Sequence, residues 1–263
     1  MEIIININNN KAQIIVAQND KNLCGEVVER IWKLSERSIK ESKRFAISLS
    51  GGTTPKGIYS LMASESYRHK FQWKFIHLFW GDERYVPFSD EKSNYRMVYD
   101  SLLAKVDIPK SNIHAISTDA EDPSISAAFY EQDLISYFKL SRGELPRFDL
   151  ILLGLGIDGH LASLFPQITT AAEKMSSQLV MATLGGEPNL PRVTLTLPVI
   201  NNAKNLMWIV TGASKAEIIR KVLGSNSKNK NLLPKHVLLK DGQTFWFLDW
   251  DAAYLLFSSA NHS

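Results

Sequence analysis

Apolar positions along the chain alternate between two spacings. From Ile3 to Val16 they read as short strands, with Asn8-Asn9-Asn10-Lys11 as the turn between them. Leu23, Val27, Ile31 and Leu34 then recur at helical spacing, so a helix is expected from an Asp20 cap to about Ser42. Phe45 to Leu49 is a short apolar strand, and Ile58, Leu61 and Met62 mark the next helix. A strand over Phe75 to Trp80 precedes helices at about Asn94 to Leu103 and Ser124 to Leu140. Phe148 to Leu153 is the most apolar strand. Leu179 to Thr183, Val193 to Leu197 and Leu206 to Thr211 follow as strands, and Ala213 to Leu223 as a helix. Gly224 to Asn231 reads as a surface loop, Phe245 to Leu248 as the last strand, and a short helix ends the pattern.

Strands alternating with helices predict an α/β fold, a mostly parallel sheet with helices on both faces. At 263 residues, with no repeat or dividing linker, one domain over 1–263 is expected. The composition, 44% hydrophobic and 22% charged, allows a full core. A net charge of +3 without a like-charge block gives no reason to expect nucleic acid or a membrane surface as partner. The single cysteine, Cys24, excludes an internal disulfide framework and a Cys-rich zinc site. The N-terminus lacks a basic, apolar leader, and the longest apolar run, near Leu150 to Ile157, falls well short of a membrane span. A cytoplasmic protein is the expectation, with a monomer preferred.

In parallel sheets ligands gather at the carboxyl ends of the strands. Several polar clusters fall there. Ser50-Gly51-Gly52-Thr53-Thr54-Pro55 suits a phosphate cradle: glycines let the backbone approach, Thr53 or Thr54 can cap the helix, and a helix N-terminus favours anions. The bland alternative is an ordinary strand-to-helix turn. It is neither a Walker loop nor a dinucleotide fingerprint. In Gly81-Asp82-Glu83-Arg84, Arg84 can fork onto a phosphate or oxyanion and Asp82 can order a sugar hydroxyl, or the stretch is simply a solvated loop.

Gly154-Leu155-Gly156-Ile157-Asp158-Gly159-His160 places a histidine in a glycine-rich turn after a buried strand. His160 can serve as a general base near neutral pH and the turn's N–H groups can face an oxyanion; a lone histidine is otherwise a capping or packing residue. Lys215, in Thr211-Gly212-Ala213-Ser214-Lys215, sits at the helix end cations disfavour, which a bound anion would offset; a solvent-facing lysine is the alternative. Arg192 is a further basic candidate. His69 and His114 fall in polar surroundings, His236 near a loop and His262 at the tail, and none has metal-ligand spacing. No G-x-S-x-G context supports a serine hydrolase.

Taken together, SLSGGTTPKGIY (48–59), FWGDERYVPFSDEKSNYRM (79–97), FDLILLGLGIDGHLASLFP (148–166), RVTLTLPVINNA (192–203) and VTGASKAEII (210–219) resemble the 6-phosphogluconolactonases. The blocks are in order and span nearly the whole chain. The resemblance implies hydrolysis of 6-phosphoglucono-δ-lactone, a small sugar-phosphate partner, no metal or organic cofactor, and the modified Rossmann-like fold of glucosamine-6-phosphate deaminases and ribose-5-phosphate isomerases. It implies His160 as general base, Arg84 and Lys215 as basic groups for the substrate, Arg192 as a further phosphate contact, and Gly51, Gly52 and Thr53 as the phosphate-side loop. Asp82 and Asp158 would line the site and orient partners.

Two departures stand out. Leu161 follows His160 where threonine is more usual, and Asp249-Trp250-Asp251 replaces a more basic stretch and is expected to be peripheral. The enzyme rival is a glucosamine-6-phosphate deaminase, whose pattern has a glutamate five residues past the histidine; Phe165 stands there instead. The non-enzymatic rival is a sugar-phosphate sensor, which would normally carry a DNA-binding helix-turn-helix.

Overall fold

The computed structural model describes residues 1–7, 10–166, 178–224 and 232–257. β1 (Glu2–Ile7) and β2 (Asn10–Ala17) form an antiparallel pair. The turn expected between them falls partly on residues 8 and 9, outside the described residues, as does nearly all of the loop expected at Gly224 to Asn231. α1 (Asp20–Ser42) runs the length its periodicity predicts and buries Leu23, Val27 and Ile31. Its cap is Asn19, not Asp20: the Asn19 side chain accepts from Asn22 N at 2.9 Å. Two adjacent residues of capping type compete there, and the first has the extended backbone a cap requires.

β3 (Phe45–Leu49), α2 (Thr53–Met62), β4 (Ile76–Trp80), β5 (Asp82–Arg84) and α3 (Asn94–Ser101) follow. Then come β6 (Ile113–His114), α4 (Pro123–Phe138), β7 (Leu150–Leu153), β8 (Val180–Gly185) and β9 (Leu190–Leu195). The described chain closes with α5 (Leu197–Asn201), β10 (Asn205–Val210), α6 (Ala216–Leu223), β11 (Gln243–Asp249) and α7 (Trp250–Phe257).

Eight strands form one sheet in the order β1-β2-β11-β10-β7-β3-β4-β6, parallel except at β1. The central strands are buried along their length, as β3 and β7 are throughout, which is why they read as unbroken apolar runs. The expected parallel α/β architecture therefore holds. A second sheet, β5-β9-β8, is antiparallel and was not anticipated. It turns the expected Asp82 to Arg84 loop into a strand that sets Asp82 opposite Thr194 and Arg84 opposite Arg192.

The core runs through both faces of the large sheet and includes Trp208 stacked on Trp246 at 4.5 Å. His114 corrects the expectation of polar surroundings: its ring stacks on Phe79 at 4.1 Å while Nδ1 meets Asp133 at 2.9 Å. Among the described residues no helix is long and apolar enough to cross a membrane.

Candidate active site

β3, β4, β7 and β10 are parallel neighbours, so the turns that follow them open at one end of the sheet. There they enclose a cavity of about 400 Å³ lined by Gly51, Gly52, Thr53, Asp82, Arg84, His160, Arg192 and Lys215. Every substrate-side residue singled out in the sequence lines it, except Asp158.

The loop after β3 is built for close approach. Buried Tyr59 of α2 clamps it, its hydroxyl accepting from Ser50 N at 3.0 Å and donating to Ser50 O at 2.8 Å. Gly52, at φ +113, is the helix N-cap and makes no side-chain cap bond, so the expected Thr53 or Thr54 cap is not formed. Thr53 and Thr54 instead occupy the first turn, where N–H groups have no intrahelical partner. Thr54 Oγ1 pairs with Thr211 Oγ1 at 2.7 Å, tying this loop to the turn after β10.

The turn after β7 folds back on itself. Gly156 N donates to His160 O at 2.8 Å, and Gly159 takes φ +88. The His160 ring lies over Gly156 so closely that a Cβ there would come within 2.1 Å of Nδ1. Asp158 stands behind the histidine: its Oδ1 is 2.6 Å from His160 Nδ1 and accepts from His160 N at 3.1 Å. Burial raises the Asp158 carboxyl, but these His160 contacts outweigh it and hold the group below the usual carboxylate range. An ionised partner at Nδ1 fixes the proton there and leaves Nε2 to accept one. Asp158 thus holds the imidazole from behind, while the residues that line the cavity are those around it.

Three cations converge. Lys215 Nζ donates to Leu155 O at 2.7 Å, and burial pushes its ammonium below the usual lysine range against the pull of Asp158. Arg192 is buried, donating through Nε to Gly185 O at 2.9 Å; burial, then the neighbouring Arg84, lowers its pKa. Arg84 donates through Nη1 to Lys92 O at 2.7 Å, while its buried Nε has no hydrogen-bond partner among the described residues. Phe165 lies beside both arms of the site, 5.1 Å from the His160 ring and 5.8 Å from the Arg192 guanidinium.

Three residues were missed in the sequence. Asn94 opens α3, lines the cavity and donates to Asp82 O at 2.9 Å; its amide covers Gly51, leaving no room for a Cβ. Ser163, fully buried, donates to Asp82 Oδ2 at 2.6 Å. Glu83, also buried, accepts from Asn94 N and Tyr95 N at 2.7 Å each and from Arg84 N at 2.8 Å. Burial nevertheless pushes the Glu83 carboxyl up to about 7. The Asp82 to Arg84 stretch is therefore no solvated loop. Leu161 is buried in the core. Asp249 is not peripheral either, since it holds Gly212 N beneath the Lys215 turn.

A smaller cleft of about 250 Å³ opens near Phe45 and Gln243, at the other end of the strands. Its cations Arg37, Arg147 and Lys204 are each paired with a carboxylate, so it offers less to an anion.

The chain matches the family model described as glucosamine-6-phosphate isomerases/6-phosphogluconolactonase over residues 18–246. It is 41% identical to the 6-phosphogluconolactonase of a Synechocystis species over 216 residues, 82% of this chain and 86% of that protein. The 6-phosphogluconolactonase of a Nostoc species is 38% identical over 91% of this chain and 96% of its own length. The solved 6-phosphogluconolactonase from Trypanosoma brucei superposes with a TM-score of 0.80 at 30% identity, covering 92% of this chain and 98% of that one.

Proposed function

This chain belongs to the glucosamine-6-phosphate isomerase/6-phosphogluconolactonase family, and we propose that within it the chain is the lactonase. It hydrolyses 6-phospho-D-glucono-1,5-lactone to 6-phospho-D-gluconate, the second step of the oxidative pentose phosphate pathway. The observation that carries the reading of the site is the His160–Asp158 pair at the edge of a cavity with three cations.

A lactone is an activated ester, so the reaction needs a base for water, a donor for the oxyanion and a grip on the phosphate. His160 Nε2 takes a proton from water as its oxygen bonds to the lactone carbonyl carbon. The carbonyl oxygen becomes an oxyanion, which faces Arg84 or the N–H groups of the glycine turn. Collapse of the tetrahedral intermediate breaks the bond to the ring oxygen, and the imidazolium returns its proton to that leaving oxygen. Asp158 holds the imidazolium in place through Nδ1. Arg192, Lys215 and the Gly51 to Thr53 loop hold the phosphate dianion, and Asp82, fixed by Ser163 and Asn94, orders a sugar hydroxyl.

The deaminase alternative has little support. The position for its carboxylate holds Phe165, an apolar ring packed against the base.

The test is turnover near neutral pH with lactone generated in situ from glucose 6-phosphate, spontaneous hydrolysis subtracted. His160→Ala should lose about 10²- to 10⁴-fold in rate. A folded His160→Ala protein with a near-wild-type rate would remove the histidine from this role.

A further inference from the structure

We propose that Asp249 is a positioning residue for substrate, setting through Gly212 the turn that carries Lys215. The proposal rests on the lactonase reading only in taking Lys215 as a substrate contact.

Asp249 ends β11 and is 6% exposed. Its carboxylate does two jobs. Oδ1 accepts from Ala252 N at 2.8 Å, an N-cap bond to the first turn of α7. Both oxygens also lie 3.0 Å from Gly212 N, which belongs to a different strand's turn. A helix cap alone does not call for that second grip. Gly212, at φ +91, closes the turn with its own carbonyl, accepting from Lys215 N at 3.0 Å. One residue is thus held through its N–H by Asp249 and through its carbonyl passes its position to Lys215. The lysine then reaches Leu155 O, on the turn that carries the base. One residue earlier, the Thr211–Thr54 bond fastens the same turn to the loop after β3.

The two jobs separate chemically. In Asp249→Asn, Oδ1 can stay with both Ala252 N and Gly212 N, but an amide NH₂ replaces the second acceptor 3.0 Å from Gly212 N. Gly212 N then keeps one acceptor and meets one donor, which pushes its turn away from residue 249 while the α7 cap survives. Asp249→Ser also keeps a capping acceptor but is too short to bridge to Gly212.

The experiment compares Asp249→Asn, Asp249→Ser, Lys215→Ala and the double variant Asp249→Asn/Lys215→Ala. Lactone KM and kcat are measured, with calorimetric binding of 6-phosphogluconate and a thermal melt. KM should rise about tenfold in either Asp249 variant, with kcat within about twofold, as for lost uniform binding. In the Lys215→Ala background, Asp249→Asn should add less than about twofold, the signature of two residues acting as one unit. A purely structural role would lower the melting temperature and the active fraction and leave KM alone; that result, or an equal KM penalty in both backgrounds, overturns the proposal. If the wild type shows no turnover, the functional reading fails by itself. The shift in 6-phosphogluconate affinity across the same four proteins then decides Asp249.

Discussion

Glu83→Gln isolates a buried carboxylate that holds the site's edge together. In the wild type one oxygen accepts from Arg84 N and Asn94 N, the other from Tyr95 N, with Ser93 Oγ 3.3 Å away. A glutamine must turn its NH₂ toward one of these sets, so at least one backbone donor is left facing a donor. That costs about 1–3 kcal/mol. The carboxyl also titrates between states. Its pKa rises on folding from 4.5 to about 7, so the folded chain holds the proton more tightly. The group's contribution is fully present below the unfolded value and is lost as pH climbs through 7, a loss of about 3 kcal/mol across that window. Glutamine does not titrate. The stability of wild type relative to Glu83→Gln should therefore fall by about 2.5 kcal/mol between pH 5 and pH 8, reversing sign where the gap at pH 5 is smaller than that. Urea melts at the two pH values, followed by tryptophan fluorescence, measure that gap, and other titrating groups cancel in the difference. A gap of the same size at both pH values would refute the reasoning, because it would mean that Glu83 is ionised at pH 5 in the folded chain.

Other expectations follow from the same geometry. Gly156→Ala puts a Cβ within 2.1 Å of His160 Nδ1 and 2.5 Å of Asp158 Oδ1, so kcat should fall toward that of His160→Ala while the far-UV circular dichroism stays native. Gly51→Ala drives a methyl into the Asn94 amide; KM should rise, and replacing Asn94 by Ala in the same chain should restore part of it. Lys215→Ala should raise KM with kcat little changed if the lysine meets the remote phosphate; a fall in kcat alone would move it to the reacting end.

What could be read beforehand follows from the range of the forces involved. The apolar runs at Phe45 to Leu49 and Leu150 to Leu153 announce strands because both their faces are covered. Asp82-Glu83-Arg84 reads as a loop because its pairing partner, β9, lies more than a hundred residues away. Leu197 to Asn201 extends an apolar, strand-like run, yet forms a helix with Pro198 in its first turn. The glycine turns and their charged residues carry a local signature, so His160, Arg84 and Lys215 were singled out, with Arg192 as a further basic candidate, and the four line one cavity. Asn94, Ser163 and Glu83 were not, because each acts through contacts formed only on folding. All three stood in the quoted blocks, Glu83 and Asn94 in the one that begins with Phe79 and Ser163 in the one that begins with Phe148, but with no role assigned. Asp249 was dismissed for the same reason: nothing near it in sequence hints at Gly212.

The cross-strand register of Arg84 and Arg192 has a consequence for how long the protein survives. Like charges placed directly opposite on an antiparallel pair destabilise it. A seated product, with its phosphate on Arg192 and its carboxylate at Arg84, offsets that repulsion, so occupancy should protect the small sheet more than it protects the large one. Anything that binds only the native form adds about 2.7 kcal/mol at a hundred times its dissociation constant. Proteolytic nicking of the β8–β9 hairpin would then report on sugar-phosphate supply, with the enzyme persisting longest when flux through it is high.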